Sequence, residues 1–156
     1  MKKFVILLAA ALFVLTAGAA FAAVESMNLT VSASVSGNCR VTGVTNITFL
    51  TAYDTLDPAN NDSGSGNFTY RCTKGTTYWL YITGSRQMSQ GAELLNFDLY
   101  TDAGRGTVWP AVNPGGPGTI SASNNELTVD VFGRIPALQN VAAGPYSGTV
   151  AVTVEF

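Results

Sequence analysis

Tyr146-Ser147-Gly148-Thr149-Val150-Ala151-Val152-Thr153-Val154-Glu155-Phe156 decides how this chain folds. Its even positions read Tyr, Gly, Val, Val, Val and Phe, whereas its odd positions are small, hydroxylated or charged. Successive side chains on an extended strand point to opposite faces, so a period of two predicts a half-buried β-strand. This strand is expected to be the last, leaving its far edge without a following partner. A long apolar strand with a bare edge is an association hazard unless something covers it.

The same period recurs upstream. Met27, Leu29, Val31, Ala33 and Val35 alternate with Asn28, Thr30, Ser32 and Ser34, and Gly37-Asn38 ends the run. An extended region follows from about Cys39 to Leu50, anchored by Val41, Val44, Ile47 and Phe49. Strands are also predicted over 67–72, over the β-prone 77–83 with Trp79 in the core, over 97–100, and over 126–135. Asp54 to Gly66, Ser85 to Gly91 and the proline- and glycine-rich Gly104 to Gly118 read as loops, with Trp109 a buried anchor in the last. No stretch after residue 22 holds a 3.6-residue apolar period over three turns. About six strands from Cys39 onward, with the Met27 segment as a seventh, give an all-β fold: an antiparallel β-sandwich of immunoglobulin type.

Met1-Lys2-Lys3, an apolar run from Phe4 to Leu15 and the exit Ala20-Phe21-Ala22 have the three parts of a secretory signal peptide, residues 1–22. The rest is long enough for one domain with a core. Without Lys2 and Lys3 the chain keeps six basic against ten acidic residues. That balance argues against nucleic acid, which requires a basic face, and offers no polybasic patch to a membrane. No stable membrane insertion is expected after signal cleavage. In an exported chain the two cysteines, Cys39 and Cys72, read first as a disulfide, with two free thiols as the alternative.

Catalysis finds little support. The chain has no histidine, hence no Ser-His-Asp triad, no Cys-His pair and no histidine for a zinc shell. Asp98 and Asp102 read as turn-capping, solvated residues, and Asp54, Asp57 and Asp62 as a solvated loop cluster without the calcium-loop pattern. No enzyme activity, cofactor or metal site is predicted.

The alternating segments at the two ends leave two explanations open. Either they pair within one molecule and complete an ordinary sandwich, or the domain lacks its final strand and receives it from another chain.

Four stretches bear on that choice: Val35-Ser-Gly-Asn-Cys39; Gly66-Asn-Phe-Thr-Tyr-Arg-Cys72; Phe97-Asp-Leu-Tyr-Thr-Asp102 with Val131-Phe-Gly-Arg-Ile135; and the terminal Gly144 to Phe156. In this order and spacing the sequence resembles the spore coat protein U domain family, which includes the archaic chaperone–usher pilins. The resemblance implies an immunoglobulin-like sandwich lacking its last strand, completed by a donor strand from another subunit. It implies a structural subunit of a surface fibre that polymerises by donor-strand exchange, one of the recurrent forms of β-augmentation. Residues 23–36 would be the donor-strand extension and 37–156 the domain. The donor positions would be Met27, Leu29, Val31, Ala33 and Val35, and the acceptor and chaperone-contact strand Tyr146, Val150, Val152, Val154 and Phe156. Cys39 and Cys72 match the family's disulfide between its first two strands. Implied partners are identical or related pilin subunits, a periplasmic chaperone and an outer-membrane usher, on a route through the periplasm to the cell surface. The alternative function is a self-contained secreted sandwich that coats a surface or binds a ligand. Ser147-Gly148 stand where family members often carry an acidic residue.

Overall fold

The computed structural model describes residues 23–156; the expected signal peptide lies outside the described residues. Residues 34–156 form one compact unit. It holds nine strands: β1 Cys39–Phe49, β2 Asn61–Cys72, β3 Thr77–Thr83, β4 Gln87–Gln90, β5 Glu93–Asn96, β6 Asp98–Tyr100, β7 Thr119–Ile120, β8 Leu127–Ile135 and β9 Ala151–Glu155. They form a four-stranded sheet of order β1-β2-β8-β6, a three-stranded sheet of order β7-β3-β9 and the hairpin β4-β5. Every pairing is antiparallel. The fold is all-β, an open immunoglobulin-like sandwich and not a closed barrel. No helix among the described residues is long and apolar enough to cross a membrane.

The core forms where the alternating faces of the two main sheets meet. Phe68 and Tyr70 of β2, Leu99 of β6 and Val131 and Ile135 of β8 are buried with Tyr78 and Ile82 of β3. Phe68, Ile82 and Leu99 are almost wholly removed from water, each contributing roughly 1.5–3 kcal/mol of apolar burial. The Tyr70 and Tyr78 hydroxyls meet at 2.8 Å inside this core, which satisfies two polar atoms that would be costly to bury alone. Trp109 is buried, as expected of a loop anchor, and its ring meets Phe68 edge-on at 5.8 Å. Cys39 and Cys72 face each other across β1 and β2 and are joined as a disulfide.

Local expectations change in four places. The closing strand, expected over 146–156, spans only Ala151–Glu155, and Tyr146 and Val150 stand before it. Residues 61–66 belong to β2 and not to a loop. The glycines there serve close packing: a Cβ on Gly64 would lie 2.6 Å from Phe49 Cε1 and 3.0 Å from the Gly133 Cα. The region around 85–96 is the β4-β5 hairpin, with Gln87 paired to Asn96 and Gln90 to Glu93; its polar composition hides the strands. Trp79 is half-buried on the face of β3 opposite Tyr78 and Ile82, donating through Nε1 to the Gly116 carbonyl at 3.3 Å. It is therefore not a core residue.

Residues 23–38 carry no strand in the described structure. Their alternating pattern is that of a strand, but a strand exists only with a partner to share its backbone hydrogen bonds.

Candidate functional site: an apolar groove between two edge strands

β1 closes one side of the four-stranded sheet and β9 one side of the three-stranded sheet. Each presents an edge with no ladder partner among the described residues. The two run in opposite directions. β2 pairs antiparallel with β1, and its Cys72 end leads through a short turn to the start of β3, which pairs antiparallel with β9.

A groove of about 420 Å³ opens between them. Val44, Ile47 and Phe49 of β1 form one wall, and Tyr146, Val150 and Val152 the other. Phe68, Ile82, Met88, Phe97 and Val131 make the floor. Uncharged polar residues, Thr45, Asn46, Asn67, Ser147 and Thr149, complete the lining, so no charge opposes an apolar occupant.

Local sequence explains both walls. Along β1, Thr45 pairs with Asn67 and Thr48 with Ser65, so β1 carries an extra residue there, and the register slips again between Val41 and Gly43. Such bulges reset which side chains share a face. They bring Val44 and Ile47, of opposite parity, onto one wall. On the other side, Ser147 and Ser89 exchange backbone hydrogen bonds of 2.8 and 3.2 Å, tying the approach to β9 onto the hairpin. A Cβ on Gly148 would fall 2.6 Å from the Gln87 carbonyl oxygen, so only glycine lets the segment come this close.

Of the expected acceptor positions, the fold gathers Tyr146, Val150 and Val152 at the groove. Val154 packs against the core further along β9, and Phe156 lies beyond the strand and is exposed. The β1 wall and Met88 were not assigned to a site from sequence. Val44, Ile47 and Phe49 stand out there as apolar anchors, but their uneven spacing conceals a common face. Of the expected donor positions, Met27, Leu29, Val31 and Val35 are exposed by 94, 88, 85 and 84%, and Ala33 is exposed as well.

Four aspartates make local structural contacts. Asp102 accepts from the Gly106 and Thr107 amides at 3.1 and 2.9 Å, bonds that hold its carboxyl below the usual range. Asp54 and Asp57 accept from the amides of Leu56 and Ala59 at 2.9 and 2.8 Å. Asp62 takes a two-point hydrogen bond from Arg134 at 2.7 and 2.9 Å. That contact lowers its pKa, and the nearby Arg105 adds to the effect. No group of three or more potential ligands that could hold a metal occurs among the described residues.

No curated protein matches the chain. Among solved structures, it is similar to a chain in the crystal structure of the CsuC-CsuE chaperone-tip adhesion subunit pre-assembly complex from archaic chaperone-usher Csu pili of Acinetobacter baumannii. Identity is 21%, the TM-score 0.47, and the match covers 79% of this chain but only 40% of that one. The profile of the Spore Coat Protein U domain matches residues 25–153. The chain belongs to the Spore Coat Protein U domain family.

Proposed function

We propose that the protein is a structural subunit of a secreted surface fibre, and that its groove receives the leading segment of another copy or a related subunit. The observation that carries this reading is a pair of complementary facts. The groove between β1 and β9 is apolar, uncharged and bounded by two free edges. Met27, Leu29, Val31, Ala33 and Val35 form an alternating apolar row that stands in water. A strand laid in the groove would bury such a row and satisfy backbone groups on both edges at once.

The magnitudes favour it. Each Met, Leu or Val buried contributes roughly 1.5–3 kcal/mol, and each backbone hydrogen bond a net of about 0.5–1.5 kcal/mol. Four large side chains and several bonds give on the order of 10 kcal/mol before the cost of ordering the segment. In the same reading a periplasmic chaperone occupies the groove before assembly, and an outer-membrane usher exchanges it for the next subunit, on a path from the periplasm to the cell surface.

The test compares the chain from residue 23 with a truncation lacking residues 23–35. The intact chain is expected to form ladders that survive SDS. The truncation should stay monomeric and gain thermal stability from a peptide spanning Met27 to Val35. A hyperstable full-length monomer, indifferent to the peptide, would overturn the proposal.

A further inference from the structure

We infer that successive copies also touch outside the groove. The corner carrying Arg40, Arg71 and Lys74 on one copy would dock on the Asp54–Leu56–Asp57 tip of the copy whose groove it enters. The inference rests on the groove reading above and deepens it.

Arg40 and Arg71 are direct cross-strand partners at the Cys39 end of β1 and β2, and both are exposed. Like charges placed opposite each other on a sheet repel. With Asn38, Thr73 and Asn124 the two arginines line a polar hollow of about 140 Å³. Lys74 follows in the adjoining turn, where its amide donates to Asn124 Oδ1. Glu126 immediately precedes β8, one position past the Tyr70–Leu127 pair, and neither arginine forms an ion pair with it or with any other described residue. The corner therefore gathers three cations, Arg40, Arg71 and Lys74, against the single carboxylate of Glu126, and is net positive.

The far end of the same two strands has the opposite character. The loop joining β1 to β2 carries Asp54 and Asp57, both exposed, with Leu56 exposed between them by 84%. Neither carboxylate forms an ion pair among the described residues. An exposed leucine flanked by two carboxylates suits a surface of arginine and lysine, whose aliphatic stems cover apolar atoms while their heads meet the acids.

Chain connectivity links the two ends. Only Ser36, Gly37 and Asn38 separate Val35 from Cys39, so the two lie at most roughly 14 Å apart. A domain whose segment lies in a groove must therefore sit close to the point where Val35 leaves it. Because β1 and β9 run in opposite directions, the segment can lie antiparallel to β9 or to β1. Lying antiparallel to β9, it emerges beside Phe49, and the incoming basic corner meets the acidic tip. Lying the other way, it emerges beside Cys39 and sets two basic corners against each other. Of the two, only the first polarity joins the basic corner to the acidic tip.

Lys74 is the only lysine after residue 3, so zero-length carbodiimide coupling between amines and carboxylates gives a simple readout. Applied to SDS-resistant ladders of the intact chain, it should yield an intermolecular Lys74–Asp54 or Lys74–Asp57 bond, identified by peptide mass spectrometry. The truncation filled with peptide should not yield it. Asp54→Asn with Asp57→Asn keeps the local amide bonds; it should leave ladders intact and abolish the cross-link. Ladders without the cross-link would overturn the docking contact alone. Absence of ladders from the intact chain would overturn the groove reading and the contact with it.

Discussion

Gly64 and Gly133 lie directly opposite each other on β2 and β8, and the Phe49 ring rests on both. A Cβ on Gly133 would stand 2.9 Å from Phe49 Cζ. Two missing side chains thus make the bed for an aromatic ring that forms part of the groove's β1 wall.

Gly64→Ala should therefore displace Phe49. Forcing an extra methyl into a packed site costs about 1–3 kcal/mol. The expected result is a lower denaturant midpoint together with weaker binding of the Met27–Val35 peptide, read by titration of the truncated domain. Unchanged values for both would show that the ring is not held by the glycine pair.

The disulfide closes a long loop, with Cys39 and Cys72 separated by 33 positions. Replacing both by serine should lower stability by about 2–4 kcal/mol, chiefly by freeing the unfolded chain. Denaturant unfolding of the variant and of the reduced protein should give the same loss.

Leu29→Asp and Val31→Asp alter side chains that stand in water, exposed by 88 and 85%. Exposed substitutions usually change stability by no more than about 0.5 kcal/mol. Domain melting should stay put while SDS-resistant ladders disappear, because a carboxylate does not enter an uncharged apolar groove unpaired. A matching fall in melting temperature would point instead to a role within the domain.

Burial pushes the Tyr70 phenol up from its ordinary value of 10.0, and the hydrogen bond with Tyr78 pushes the same way. The unfolded phenol loses its proton near pH 10 while the folded one keeps it. The resulting stabilisation is whole below about pH 10 and declines as pH climbs through the raised folded value. Tyr70→Phe should cost about 1 kcal/mol at neutral pH and flatten the alkaline limb, seen by chemical unfolding at stepped pH.

Much of the architecture was legible because burial on one face writes itself into parity. Val129 to Ile135 bury alternate residues as the period predicts, Tyr78 and Ile82 point inward from β3, and Val152 and Val154 lie on β9. Reading failed where another force set the residue type. Gly64 and Gly66 look like turn residues but stand in β2 to admit the side chains of β1. The β4-β5 hairpin is written in glutamine, asparagine and serine, which carry little strand signal. Trp79 fits an alternating strand, but on the outward face. Half of the groove was legible in Tyr146, Val150 and Val152; the other half was hidden by the bulges of β1, which break the period at Val41–Gly43 and Thr45–Thr48. Charge pairing across strands, as at Arg40 and Arg71, requires the register and is invisible in the linear order.

The join at Cys39 has a mechanical consequence. The Thr73 amide grips the Asn38 carbonyl at 2.8 Å, and the next residue is bonded covalently to Cys72. Force arriving through the residues before β1 cannot peel that strand away from its leading end. It passes through the sulfur bridge into β2, which has neighbours on both sides, and is spread in shear over the whole sheet.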